Sequence, residues 1–144
     1  MAVNNLVNIQ YAQTGRSSAT NDMGMREMQA MVYEQRNRPH LLVKAPPASG
    51  KSRAMMFVAL DKLAHQGIRK VIVAVPEKSI GRSFRDTGLM KYGFFADWRV
   101  APYYNLCDTT GNETSKRERL TEFLSPSTPA QILVSAHTAH YAMR

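Results

Sequence analysis

Between two apolar runs, Leu41-Leu42-Val43 and Ala54 to Leu60, stands the octet Ala45-Pro46-Pro47-Ala48-Ser49-Gly50-Lys51-Ser52. The first run has the length of a buried strand. The second, continued by Leu63 and Ala64, is apolar nearly all round, as in a helix packed against a sheet. A strand, a glycine-containing turn and a helix gather the first N–H groups of that helix at one point, where they lack intrahelical acceptors and attract an anion. The octet itself, Ala or Gly, four variable residues, Gly, Lys and then Ser or Thr, fits the Walker A pattern of nucleoside triphosphate sites. Its chemistry assigns parts. Backbone N–H groups of Ala48, Ser49, Gly50, Lys51 and Ser52 point at the phosphates, Lys51 adds a point charge, and the Ser52 hydroxyl ligates Mg2+. A plain strand-to-helix turn is the competing reading.

The rest of the chain alternates in the same way. Met25, Met28, Met31 and Val32 fall on one helical face and predict a helix to about Arg36, after residues 1–22, which are rich in Asn, Gln, Ser and Thr and read as an N-terminal arm. A strand over 41–45, a helix from Lys51 to His65 ending near Gly67, and Val71 to Val75 follow. That last strand, apolar at every position, is expected to be buried on both faces, as in a parallel sheet. Pro76 ends it, and Glu77 to about Arg85 predicts a further helix. Residues 98–106 hold a candidate edge strand limited by Pro102. Thr114 to Leu124 reads as an amphipathic helix, 125–129 as a loop, and Gln131 to Ser135 as a third buried strand. The expected class is α/β with a mainly parallel sheet, and the expected division is the arm, 1–22, and one domain over 23–144.

Charge and composition limit the partners. The formal net charge is +8 over 144 residues, a balance that favours an anionic partner such as nucleic acid. A single cysteine, Cys107, excludes an internal disulfide framework and fits a reducing compartment. No apolar run approaches the roughly 20 residues of a bilayer span, and the N-terminus lacks a basic start with an apolar stretch behind it. The expectation is a cytoplasmic protein with no membrane partner.

Further segments fall into an order that a phosphate loop alone does not require. Met25-Arg26-Glu27-Met28-Gln29 precedes the loop, Val75-Pro76-Glu77-Lys78-Ser79-Ile80 closes one strand, and Ser135-Ala136-His137-Thr138 closes another. From about residue 20 onward this arrangement resembles the first RecA-like domain of superfamily 2 helicases, in particular DEAD/DEAH-box proteins and the helicase (Res) subunit of type III restriction enzymes. The resemblance implies a P-loop NTPase (RecA-like) three-layer fold, here truncated, and ATP with Mg2+ as cofactors. It implies that Lys51 is the catalytic lysine, that Gln29 reads the adenine edge and that Arg26 helps to fix it. The family's loop reads A-P-T-G-S-G-K-T, so Pro47, Ala48 and Ser52 stand where Thr, Gly and Thr are usual. Serine keeps the Mg2+ hydroxyl, whereas alanine resists backbone angles that glycine permits. Pro76, Glu77 and Lys78 look like the family's motif Ia, and Ser135, His137 and Thr138 lie where its next strand-end motif touches the nucleic-acid backbone, with DNA ahead of RNA. Thr110-Gly111 stands where a glycine-containing backbone motif occurs, and a turn explains the pair equally. Subunits of a restriction-type complex are the other partners implied.

The acidic D-E-x-H or D-E-A-D strand end that the family uses for hydrolysis is absent from these residues. The expectation is the front part of a longer motor, able to bind ATP and inactive alone. The rival readings are a small P-loop kinase, with Arg82 and Arg85 in its lid, and a non-catalytic nucleotide- or nucleic-acid-binding module. His137 and His140 with Cys107 fall short of the four paired ligands of a structural zinc site.

Overall fold

Secondary structure follows the punctuation of the sequence closely over 51–65 and 71–75 and less closely over 78–106. The computed structural model describes residues 6–8, 19–108 and 111–136. They fall into two compact units, one comprising the described residues up to Gly67 together with Gly88–Asp97, the other Ile68–Thr87 and the described residues from Trp98 onward.

In the first unit, β1 (Leu6–Asn8) pairs in parallel with β2 (Leu42–Lys44), Leu6 opposite Leu42. The arm therefore contributes a strand that its polar composition conceals. Helix α1 runs over Glu27–Glu34, shorter than the expected 25–36, because Arg26 is extended and the Asn21 carboxamide oxygen closes a turn by accepting from the Met23 and Met25 N–H groups. Met25, Met28, Gln29, Val32 and Tyr33 are buried, whereas Met31 is 41% exposed. Met31 was expected on the buried stripe; six steps of about 100° carry it roughly 120° away from Met25. Helix α2 occupies Lys51–His65 as expected, and its Ala54 packs with Met28 and Val32 beside Val43, Ala45 and Val58. Residues 88–97 fold onto this unit through Phe94, whose ring meets Phe57 at 4.7 Å and Tyr33 at 5.8 Å, both edge to face.

In the second unit, β3 (Val71–Val75) and β4 (Ile132–Ala136) pair in parallel with Val71 opposite Ile132. Asn105 bridges the other edge of β4 at Val134 and Trp98 bridges Thr87, so the candidate strand over 98–106 shrinks to two isolated bridges on either side of a 3-10 turn at Pro102–Tyr104. This flanking explains the burial. All five residues of β4 are buried, whereas β3, an outer strand, buries Val73 and Val75 and leaves Ile72 exposed, correcting the expectation of two covered faces. The helix expected to about Arg85 is a single turn, α3 (Lys78–Gly81), followed by a 3-10 turn at Arg82–Phe84, Gly81 and Ser83 being weak helix formers. Helix α4 (Glu113–Leu124) starts where the Asn112 side chain accepts from the Ser115 N–H at 2.8 Å. Leu120 and Phe123 pack with Tyr104, Leu106 and Leu133 as the core. No helix among the described residues is long and apolar enough to cross a membrane.

The described architecture is therefore mixed α/β with parallel strand pairing in both units.

Candidate nucleotide-binding site

The loop after β2 is bent by two left-handed residues two positions apart. Ala48 has φ 60° and Gly50 has φ 92°, with the Ser49 N–H donating to the Pro46 carbonyl at 3.3 Å. Ala48 is the position where the sequence departs from glycine, and there the backbone demands what glycine tolerates best. Gly50 is required on a second ground: a Cβ on it would lie 2.5 Å from the Gln29 Nε2.

That closeness is a built contact. Gln29 is 3% exposed, its Oε1 accepts from the Arg26 backbone N–H at 2.8 Å, and its Nε2 donates to the Gly50 carbonyl at 3.1 Å. One side chain thus ties the start of α1 to the start of α2. Arg26 takes part through its backbone. The Gln29 amide keeps a second N–H and a second lone pair beyond these two bonds.

Lys51 opens α2, and its ammonium donates to the carbonyls of Ala45 at 2.8 Å and Pro46 at 2.7 Å. The charge is held across the loop with a third N–H to spare. Ser52 is half-buried at the second position of α2. Ser49 is buried, and its hydroxyl has no hydrogen-bond partner. A buried hydroxyl without a partner is costly unless something else supplies an acceptor. Together with the N–H groups at the start of α2, this donor set fits the oxygens of a polyphosphate.

The remaining candidate residues belong to the second unit. Pro76, Glu77 and Lys78 are exposed just past the C-terminal end of β3. Ser135 is fully buried within β4, its hydroxyl donating to the Ala136 carbonyl at 3.3 Å. His137, Thr138 and His140, and Thr110, lie outside the described residues. Cys107 is buried, and burial pushes its thiol above the ordinary range, with Asp108 adding to the shift. Among the described residues no group of three His, Cys, Asp or Glu side chains could hold a metal ion.

Sequence reasoning missed a buried carboxylate. Asp61, on α2, accepts from the Tyr33 hydroxyl at 3.0 Å and the Gln66 amide at 2.8 Å, meets His65 Nδ1 at 3.0 Å, and lies 3.4 Å from the Arg36 guanidinium. Lys62 adds bonds to the carbonyls of Arg36 and Arg38, so the C-terminal ends of α1 and α2 are clamped together. The signal was an acid four residues beyond Phe57 on an otherwise buried helical face.

The chain is 55% identical, over 134 of its residues, to a helicase-named protein of Bacillus subtilis (strain 168), the "Putative ATP-dependent helicase YeeB". The aligned segment is 93% of this chain and 22% of that protein, so the chain spans about a fifth of its relative's length. No family model matches. No solved structure matches either.

Proposed function

We propose that this chain is the nucleotide-binding front part of an ATP-dependent nucleic-acid helicase or translocase of the DEAD/DEAH-box or restriction-enzyme type, with a RecA-like three-layer fold. The observation that carries the reading is the loop itself: a partnerless buried Ser49 hydroxyl and a Lys51 ammonium bonded to the loop carbonyls stand on either side of Gly50, to whose carbonyl Gln29 is bonded. The helicase-named relative, aligned over nearly the whole chain, supports it.

In this reading Ser49, Gly50, Lys51 and Ser52 hold the ATP phosphates, the Ser52 hydroxyl ligates Mg2+, and Gln29 offers its remaining donor and acceptor to adenine. ATP supplies the phosphoryl group whose transfer drives movement. These residues position and neutralise it, which is most of what such catalysis asks of a protein, and alone they bind without turnover. Pro76, Glu77 and Lys78 belong to the nucleic-acid side, with exposed backbone at the end of a parallel strand, where ligands of such sheets gather.

Two measurements test the two halves. Gln29→Ala is expected to erase a preference for ATP over GTP; equal discrimination in the variant would remove the adenine role. Binding to DNA is expected to weaken with salt at about 0.9 log units per log unit for each phosphate contacted, and Lys78→Ala is expected to lower that slope by about one contact. An affinity for DNA that ignores salt would remove the nucleic-acid half.

A further inference from the structure

Resting on the reading of Gln29 above, we propose that Tyr33 and Asp61 are positioning residues for base recognition: by tying the far end of α1 to α2 they hold the Gln29 amide in register with the phosphate loop, without touching the nucleotide themselves. Helix α1 is eight residues long, about two turns. A helix that short has little stability of its own, so contacts with its neighbours decide where it lies.

Those contacts run in layers along one seam. Gln29 and Tyr33, four residues apart, share the buried side of α1 with Met28 and Val32. Gly50, Ala54 and Asp61, at steps of four and seven, share the facing side of α2 and its cap. At one end the Gln29 Nε2 donates to the Gly50 carbonyl at 3.1 Å; in the middle Met28 and Val32 pack on Ala54; at the other end the Tyr33 hydroxyl donates to the Asp61 carboxylate at 3.0 Å. Asp61 is 5% exposed and stands eleven residues along from Gly50, about 16 Å at the helical rise.

The far tie matters because the near one is sensitive to rotation. A turn of α1 by roughly 20° about its axis would carry an amide some 6 Å from that axis through about 2 Å, enough to break the bond to Gly50. The apolar middle layer resists separation of the helices more than it resists such a turn, whereas a hydrogen bond to a buried carboxylate is directional and charge-assisted. Arg36 reinforces the tie, its guanidinium 4.4 Å from the Tyr33 ring centroid and 3.4 Å from Asp61. Lys62 and Gln66 bond instead to the carbonyls of Arg36 and Arg38, beyond the end of α1, so Tyr33 is the bond that acts on the helix itself.

Binding of ATP, GTP and tripolyphosphate, each with Mg2+, to the full 144-residue chain tests this, at a temperature where thermal unfolding shows every variant folded. Tyr33→Phe removes the hydroxyl and keeps the ring that meets Phe94. It is expected to lower the preference for ATP over GTP by about 2- to 10-fold and to leave tripolyphosphate, which has no base, within about twofold of its wild-type affinity. Asp61→Asn is expected to shift the preference in the same direction. In a Gln29→Ala background neither change is expected to shift it further, the mark of residues that act through Gln29. An ATP-to-GTP ratio unchanged in either single variant would overturn the proposal, as would an equal loss of ATP and tripolyphosphate, or the same shift in the Gln29→Ala background. A wild-type chain that binds neither nucleotide, or both alike, would remove the Gln29 reading and the proposal with it; a wild-type preference that survives both variants would remove the proposal alone.

Discussion

Ala48 carries a left-handed backbone, φ 60°, that costs an alanine about 1–2 kcal/mol relative to its preferred regions. Glycine would release that strain while loosening the unfolded chain by about 0.4–1 kcal/mol. Ala48→Gly is therefore expected to raise stability by up to about 1 kcal/mol, and Ala48→Val, β-branched at positive φ, to lower it by about 2 kcal/mol; urea midpoints at constant slope measure both. Gly50 allows no such exchange. Its φ of 92° and the 2.5 Å approach to Gln29 Nε2 predict that Gly50→Ala costs about 1–3 kcal/mol and weakens ATP binding at least about tenfold. A Gly50→Ala protein with wild-type stability would show that the Gln29 contact does not shape the loop. The motif told which residues line this loop. It could not tell that Ser49 is the buried one, since a pattern of allowed residue types carries no information about which hydroxyl lacks a partner.

Helix α2 was legible at both ends because its limits are written in local chemistry: Gly50 frees the backbone before it and Gly67 follows it. Val71–Val75 was legible for the same reason, being β-branched at every position but Ala74 and closed by Pro76. The pairing partners were less so. Leu6–Asn8 offers three residues in a polar arm, and only its match to Leu42–Lys44, more than thirty positions away, makes it a strand. The return of Phe94 to Tyr33 and Phe57, and the convergence on Asp61, are likewise products of packing between distant segments. Asp61 carries a prediction at this scale. Burial alone would push its carboxyl up, but the hydrogen bonds from Gln66, His65 and Tyr33, with Arg36 adding charge, outweigh burial and hold it below its ordinary value. A folded-state value below the unfolded one means that the stabilisation is fully present above about pH 4, the unfolded value, and is lost as pH falls through the folded one. Asp61→Asn is expected to cost about 1–3 kcal/mol near neutrality and to flatten the stability curve below pH 4. Parallel acid-unfolding curves for the two proteins would assign the pH dependence to other groups.

At the scale of the whole chain, each unit pairs its strands in parallel, and the first contains every residue assigned to the nucleotide. In the proposed reading, α1, the loop and the start of α2, all inside one unit, hold a triphosphate through Lys51. Calorimetric titration of the 144-residue chain with Mg2+-ATP, alongside Lys51→Ala at matched thermal stability, tests it most directly. Saturable one-to-one binding that weakens at least about tenfold in the variant is the predicted result, the loss corresponding to about 1.4 kcal/mol or more. Equal affinity in the two proteins, or no binding by the wild type, would contradict the account.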